Sequence, residues 1–255
     1  MNPAATALYV EYRKALASAV LRTITILVVA GIAVLAATLT AAARAGNDQI
    51  LAQLGPLAGH SGWNLLTGVS AQITAAGALL AFGVALSWSF GREFTDGTIT
   101  GLFALPVTRP TIALAKFAVH LAWTGLVALT LAVFVLAAGL ILNLGPIDSD
   151  VWHQLARQGM LTILTGLLAA PAGWAASLGR GSLPGIAATI AILIAAQVTA
   201  IAVPGTAAWL PFSAPALWAL QPTAVHAGQL ATVAIVPIVF AVVTSVTWQR
   251  LQLDR

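Results

Sequence analysis

The sequence predicts an all-α integral membrane protein with six transmembrane helices. Hydrophobic residues make up 60% of its 255 residues and charged residues only 7%, against roughly 25% charged residues in an ordinary soluble domain. Long uncharged runs alternate with short charged or turn-rich stretches. Because no water-soluble surface can be built from this composition, the uncharged runs are expected to lie in a bilayer.

Composition also excludes several classes of protein. The chain has 0 cysteines, so it has no disulfide framework, thiol nucleophile or thiolate metal site. Its 11 Lys and Arg against 7 Asp and Glu would suggest nucleic acid for a soluble domain, but in a membrane protein the placement of these charges indicates orientation, and no nucleic-acid partner is predicted. Glu11, Arg13 and Lys14 fall where a signal peptide needs an apolar core, so no cleavable signal is expected.

Six uncharged runs are long enough to cross a bilayer. Before them, residues 8–22 mix Tyr9, Tyr12 and Leu16 with charged residues, which predicts an interfacial helix in the headgroup layer. Turn formers and charges separate the runs at residues 44–64 and 143–154. The predicted spans, in a single domain of residues 1–255, are 23–43, 65–88, 117–142, 155–178, 184–203 and 228–248.

The last uncharged run is too long for one span, and prolines divide it. The connector between spans 5 and 6, residues 204–227, carries Trp209 and Trp218 and no charged residue. Tryptophan is typical of membrane interfaces, so this connector is predicted to be re-entrant, dipping partway into the membrane. The dividing prolines are Pro204, Pro211, Pro215 and Pro222.

The basic residues predict the orientation of the protein. Six spans place both termini on one side, and the cytosolic side is the one richer in Lys and Arg. On the opposite side lie only Arg44 and Arg157. The terminal side, predicted to be cytosolic in the cell membrane, carries Arg13, Lys14, Arg22, Arg92, Arg109, Lys116, Arg180, Arg250 and Arg255.

The loop between spans 2 and 3 concentrates charge in a chain that has little. Within it a short helix is predicted over residues 98–105, with Ile99, Leu102 and Phe103 on one face. Pro106 ends this helix. An apolar helix face on the cytosolic side needs something to cover it, so we expect a partner to bury this face.

The stretch EFTDGTITGLFALPVTRPTIALAKF, from Glu93 to Phe117, resembles the corresponding loop of ABC-2 type transporter permeases. The six-span topology, the leading helix and the connector before the last span are similar too. In that family the loop is a coupling helix that seats in a groove of a cytosolic ATPase. The positions that match the family's loop are Glu93, Gly97, Thr98, Pro106 and Arg109. The predicted coupling loop comprises Glu93, Phe94, Asp96, Gly97, Thr98, Ile99, Leu102, Phe103, Pro106 and Arg109.

The resemblance implies the permease subunit of an ATP-driven exporter. Such a subunit would pair with a second permease, as a homodimer or heterodimer, and with two copies of a cytosolic P-loop ATPase, and would move a drug, lipid or antimicrobial peptide by alternating access. The chain contains no G-x-x-x-x-G-K-S/T motif, so it is not predicted to be an enzyme. ATP and Mg are expected in the partner ATPase, with no cofactor in this chain and membrane lipid around it.

Three other classes remain alternatives. An ion-coupled secondary transporter usually keeps carboxylates within its spans, and none of the predicted spans contains Asp or Glu. An intramembrane enzyme would depend on His60, His120, His153 and His226, which form no i, i+4 pair and are predicted to be isolated interface histidines without a metal. A non-transporting immunity or structural membrane protein is the third.

Two polar or small-residue patterns lie within the predicted spans. Gln72, Thr74, Gln197 and Thr199 are candidates for a transport pathway or for interhelical hydrogen bonds. In span 4, small residues recur every seven positions, which keeps them on one side of the helix and predicts a close-packing face, and Pro171 is expected to bend that helix. The recurring glycines are Gly159, Gly166 and Gly173.

Overall fold

The computed structural model describes residues 2–203 and 205–252, which form helices and turns and no strand. Six helices are long and apolar enough to cross a membrane, so the predicted all-α, six-span fold class is confirmed. Pro204 and Arg255, used above, lie outside the described residues. In chain order the helices are α1 (Pro3–Ala17), α2 (Ala19–Arg44), α3 (Asp48–Leu54), α4 (Gly62–Thr95), α5 (Ile99–Phe103), α6 (Arg109–Ile141), α7 (Ser149–Leu178), α8 (Ser182–Ala202), α9 (Ala214–Leu220) and α10 (Ala227–Arg250).

The six spanning helices are α2, α4, α6, α7, α8 and α10, and two of them run well past the predicted boundaries. Helix α4 continues beyond Trp88 to Thr95, and α6 begins at Arg109 rather than Phe117. With 34 residues, α4 is about 51 Å long, which exceeds the roughly 30 Å of hydrocarbon in a bilayer. The length of the apolar run therefore predicts the part of the helix that lies in lipid, and the helix itself continues beyond that part. Helix α4 stops just before Gly97, whose φ of 68° turns the chain.

Helices α4, α6 and α7 form the centre of the bundle, and α8 and α10 lie at its periphery. In the most apolar stretch of α7, 67% of the residues are buried, against 11% in α8. A contiguous core joins Ile32 of α2, Phe82 of α4, Leu131 of α6 and Leu155 of α7. The exposed apolar surface of α8 is therefore left for lipid or for another chain.

Small residues bring α4 and α8 into close contact. A methyl group added at Gly91 of α4 would collide with the backbone of Ser182, and one at Gly185 of α8 would collide with Ser87. Lipid supplies no hydrophobic force between helices, so close backbone approach is what holds such a pair together.

Helix α7 is interrupted at Ala169, beside Pro171, as the proline predicted. On its small-residue face, Gly166 packs against Thr124 of α6 and Gly173 packs against Phe90 of α4. Gly159 has no atom within 4 Å of where its Cβ would be. Within this chain the same helix face meets no close neighbour at that level, so packing at Gly159 would have to be against a partner and stays a prediction.

The connector before α10 is folded against the bundle. It contains a 3₁₀ turn at Ala207–Trp209 and the short helix α9. Helix α9 packs against α4 and α7, with Ala214 and Pro215 buried. Its depth in the membrane stays a prediction.

The contact between Gly166 and Thr124 gives a direct test of how the bundle is held together. Replacing Gly166 with Leu should lower the free energy of unfolding by about 1–3 kcal/mol, because the larger side chain must displace α6. Gly159→Leu is the matched control, since it makes the same chemical change on the same helix where there is open space. The measurement is the thermal stability of each variant in neutral detergent. Equal stability of the two variants would show that α6 and α7 are not held by this contact.

Candidate functional site

Four charged side chains from three helices meet at one end of the bundle. Lys116 of α6 places its Nζ 2.8 Å from Oε2 of Glu11 and 2.8 Å from Oε1 of Glu93. Lys14 of α1 places its Nζ 2.9 Å from Oε1 of Glu11 and 2.8 Å from Oε1 of Glu93. These four residues form a closed ring of alternating charge, referred to below as the charge cluster.

The charge cluster is nearly excluded from solvent. The side-chain exposure is 1% for Lys116, 2% for Glu93 and 5% for Glu11, and only Lys14 is partly open at 29%. Lys116 also donates to the carbonyl oxygen of Ser89 at 3.0 Å, which gives its ammonium group three acceptors. Buried charges are tolerated when they are paired and fully hydrogen-bonded, and removing one partner leaves an uncompensated charge.

The outermost member of the cluster stays charged. Burial lowers the pKa of Lys14, but the carboxylates of Glu11 and Glu93 more than offset this and raise its pKa above the ordinary value. Lys14 is therefore protonated throughout the physiological pH range.

Helix α1 presents Glu11 and Lys14 inward and its large apolar side chains, together with Arg13, outward. Glu11 is buried on the side facing α6, whereas Leu8, Tyr9, Tyr12 and Leu16 are exposed. This arrangement is the reverse of a soluble amphipathic helix and suits a helix beside lipid. The interfacial position of α1 itself stays a prediction.

Glu93 also holds the loop between α4 and α6. Its Oε2 accepts a hydrogen bond from the hydroxyl of Thr98 at 2.7 Å, at the start of α5. One carboxylate thus connects α1, α6 and the loop. By contrast, Arg92 and Asp96 form an exposed pair at 3.8 Å, which contributes little.

The apolar face of α5 is buried within this chain, which corrects its predicted burial by a partner. Ile99 and Leu102 are only 6% and 8% exposed, and they pack with Phe90. Phe103 is partly buried with its ring 5.6 Å from that of Trp248. The periodicity of α5 identified which face is buried. It could not identify what buries that face, because the covering side chains come from the ends of spanning helices elsewhere in the chain. The helix itself is also shorter than the predicted residues 98–105.

The surface that remains for a partner is the outer side of the loop. It is small and mostly uncharged, and Leu105 is its large apolar side chain, with 48% of its surface exposed. The exposed residues on this side are Thr95, Asp96, Gly97, Thr98, Thr100, Gly101, Ala104, Leu105, Pro106 and Thr108.

A second set of contacts fastens the far end of the loop to α10. The guanidinium of Arg109 lies 4.2 Å from the centre of the Phe103 ring and donates to the carbonyl oxygen of Leu251 at 2.8 Å. Trp248, which is fully buried, donates from Nε1 to Oγ of Ser177 at 2.8 Å. Phe94 packs against the same cluster. The loop is therefore held at both ends.

The polar residues of the spans have different surroundings. Thr74 makes the interhelical type of contact, because its hydroxyl accepts from Nε2 of Gln158 at 2.7 Å. Thr199 donates to the carbonyl oxygen of Ala195 in its own helix. Gln72 and Gln197 are exposed and form no interhelical bond within the described residues.

His120 was predicted to be an isolated interface histidine, and its depth in the membrane stays a prediction. It packs inside the bundle, with Nε2 3.1 Å from the carbonyl oxygen of Gly166 and its ring edge-on to Phe82. Within residues 2–203 and 205–252, no three His, Cys, Asp or Glu side chains are grouped so as to hold a metal ion.

Sequence reasoning missed the partners of Glu93. The sequence places Glu11 and Lys14 in a predicted interfacial helix and Lys116 on the terminal side, although an acidic residue beside an anionic leaflet gains nothing from the lipid. That mismatch was the available signal, since it implies a basic partner elsewhere in the chain. Nothing in the sequence marked Trp248 as a partner of the loop.

Comparison with known proteins adds one finding. A family model described as ABC-2 family transporter protein matches residues 7–196, which include the whole charge cluster, α5 and the loop around it. A search of curated proteins gave no match.

The charge cluster predicts an asymmetric response to mutation. Lys116→Met should lower the free energy of unfolding by about 3–5 kcal/mol, because it leaves two buried carboxylates with one ammonium group. Asp96→Asn, in the exposed pair, should change it by under about 0.5 kcal/mol. Adding Glu11→Gln to Lys116→Met should recover part of the loss by restoring neutrality. Unfolding in detergent measures all three, and a loss for Lys116→Met no larger than for Asp96→Asn would contradict the buried pairing.

Proposed function

Because the chain belongs to the ABC-2 family of transporter proteins and is thus a membrane permease of an ABC-type transporter, we propose that it is the membrane half of an ATP-driven exporter. In this proposal a separate cytosolic ATPase moves the loop around α5, and the loop moves the spanning helices. Alternating access then carries a hydrophobic or amphipathic compound across the membrane.

The observation that carries this proposal is the charge cluster at the base of the loop. Glu93 joins the loop to α1 and α6 through contacts of 2.7–2.8 Å. Because these contacts are buried and charge-assisted, they are stronger than neutral hydrogen bonds. A push on α5 is therefore expected to displace α4 and α6 together rather than to bend the loop.

The ATPase is proposed to be a second polypeptide. The chain has no P-loop motif, so ATP and Mg would be bound by the partner. Two copies of that partner and a dimer of permeases make the transporter symmetric in this proposal. The docking surface is the outer side of the loop, where Leu105 is exposed and Gly101 has open space beside it.

The distribution of basic residues supports a cytosolic loop. Lys14, Arg92, Arg109, Lys116 and the other basic residues on the terminal side outnumber Arg44 and Arg157 on the other side, as the positive-inside rule requires for termini in the cytosol. We therefore place the protein in the cell membrane with the loop around α5 facing the ATPase.

An apolar groove supports hydrophobic or amphipathic cargo. It lies between α4, α6, α7 and α10, has a volume of about 330 Å³ and is lined by Leu86, Phe117, Leu121, Leu167 and Ile238 among others. This volume falls at the lower end of the roughly 300–1,000 Å³ typical of small-molecule sites.

The main rival is a secondary transporter driven by protons or sodium. The acidic residues within the six described spanning helices are Glu93 and Asp150, each close to a helix end. Glu93 is already paired with two ammonium groups. A carboxylate free to bind a coupling proton in mid-membrane is therefore absent from the described spans.

Three substitutions in and beside the loop should distinguish residues that couple ATP hydrolysis to transport from residues that bind the ATPase. Glu93→Gln should retain the ATPase but lower transport per ATP hydrolysed, because it loosens the loop. Leu105→Ala should weaken ATPase association by roughly 2 kcal/mol, the value of burying a leucine side chain. Phe103→Ala should instead destabilise the permease, since that ring packs against Trp248. The measurements are copurification of the P-loop ATPase, hydrolysis and efflux of an amphipathic dye from proteoliposomes.

Leu126→Ala, on an exposed side of α6 away from the loop, is the matched control and should retain the ATPase. Copurification and transport at the wild-type level in both Glu93→Gln and Leu105→Ala would mean that the loop is only a link between two spans. Failure of any ATPase to copurify with the wild-type chain would favour the immunity or structural alternative.

A further inference from the structure

At the end of the bundle opposite the charge cluster, α4, α7 and α9 enclose a polar cavity of about 80 Å³. Its polar lining comes from His60 just before α4, the first turns of α4 and the first half of α7, and its apolar lining includes Leu57 and Leu220. None of the residues that line it is acidic. The polar residues that line it are His60, Asn64, Thr67, Gln154, Arg157 and Gln158.

Arg157 distinguishes this cavity from an ordinary polar crevice. It lies roughly 12 Å along α7 from Ser149, at a rise of about 1.5 Å per residue. Within the described residues it forms no hydrogen bond or ion pair. Arg44, the other basic residue on this side, donates to the carbonyl oxygen of Leu142 at 2.6 Å. An ionisable residue within a spanning helix and without a partner indicates a functional site.

A buried amide at the inner end of the cavity is also incompletely bonded. Gln158 is only 2% exposed. Its Nε2 donates to Oγ1 of Thr74 at 2.7 Å, but its Oε1 has no partner. A buried acceptor without a donor costs free energy, so the polar groups beside the cavity are not fully satisfied within the described residues.

Neighbouring polar groups are positioned in advance. Nε2 of Gln154 donates to Oδ1 of Asn64 at 2.6 Å, and its Oε1 accepts from the hydroxyl of Thr67 at 2.8 Å. These bonds fix the amides on one wall, and they do not use the amino group of the exposed Asn64. Arg157 and this amino group supply donors and positive charge.

The volume limits what can bind. At about 80 Å³ the cavity is far smaller than the roughly 300 Å³ or more of a site for a whole drug-sized molecule. It suits the polar head of a larger molecule whose apolar part extends along the neighbouring apolar surface.

We propose that this cavity binds the anionic head group, a phosphate or a carboxylate, of an amphipathic molecule, with Arg157 as its counter-charge. Arginine presents a planar set of donors that matches the two oxygens of such groups. The assignment of that molecule as cargo rests on the proposed exporter function, whereas binding itself does not.

The test uses the full-length chain in neutral detergent, titrated with decyl phosphate and followed by thermal shift. Decyl phosphate should stabilise the wild-type protein, and decyltrimethylammonium should not. Arg157→Gln should weaken decyl phosphate binding about tenfold or more, as expected for loss of a charge-assisted pair. Arg44→Gln is the matched control and should bind as the wild type does. Equal affinity in the two variants, or equal stabilisation by the cationic amphiphile, would overturn the proposal.

A second variant keeps the test decisive if Arg157→Gln does not fold. Asn64→Asp, at the exposed rim, retains the oxygen that accepts from Gln154 and adds a negative charge. It should also weaken decyl phosphate binding, and wild-type affinity in this variant would contradict an anion site.

Two further experiments distinguish whether the head group belongs to a membrane lipid or to a transported molecule. If a membrane lipid occupies the cavity, phosphatidylglycerol in nanodiscs of phosphatidylcholine should compete with decyl phosphate. If the ligand is cargo, decyl phosphate should stimulate ATP hydrolysis by the wild-type complex and not by the Arg157→Gln complex. Binding that persists when no ATPase associates would refute the exporter function and leave the anion site intact.

Discussion

Two carboxylates share two ammonium groups in a site almost closed to water, and the end of the bundle that carries the loop depends on this arrangement. Each of the four groups has partners on at least two helices or on the loop, so none can leave without exposing a buried charge. In soluble cores such pairs often add little net stability over apolar residues of similar size. Their value here is geometric, because they fix the positions of α1, α4, α6 and the loop relative to one another.

The loop is consequently part of the membrane domain rather than a tether between two spans. On one side Glu93 holds its start, and on the other Arg109 holds its end against Phe103 and Leu251. The apolar face of α5 is already covered by the chain's own helices. A partner can therefore bind the outer side without first ordering the loop, which lowers the entropic cost of association.

The six spans could be predicted from composition because lipid demands long uncharged helices. The charge cluster could not, since its members are 79 and 105 residues apart along the chain and no local pattern links them. Periodicity predicted which face of α5 is apolar but not its cover, which Phe90 of the preceding helix and Trp248 of the last helix supply. Likewise, a seven-residue repeat placed Gly159 and Gly166 on one face of α7. Of these two, Gly166 packs against α6, and that difference depends on the path of α6, which the repeat does not specify.

The central claim, that the charge cluster keeps the loop rigidly attached to the spanning helices, can be tested by measuring a distance distribution. The chain has 0 cysteines, so spin labels can be placed at Thr100→Cys on α5 and Leu121→Cys on α6 without other changes. Electron paramagnetic resonance should give one narrow distribution in the otherwise unaltered protein and a clearly broader one when Glu93→Gln is added. Asp96→Asn should leave the distribution narrow. Distributions that are identical with and without Glu93→Gln would show that the loop is held by other contacts and that the cluster does not couple it to the helices.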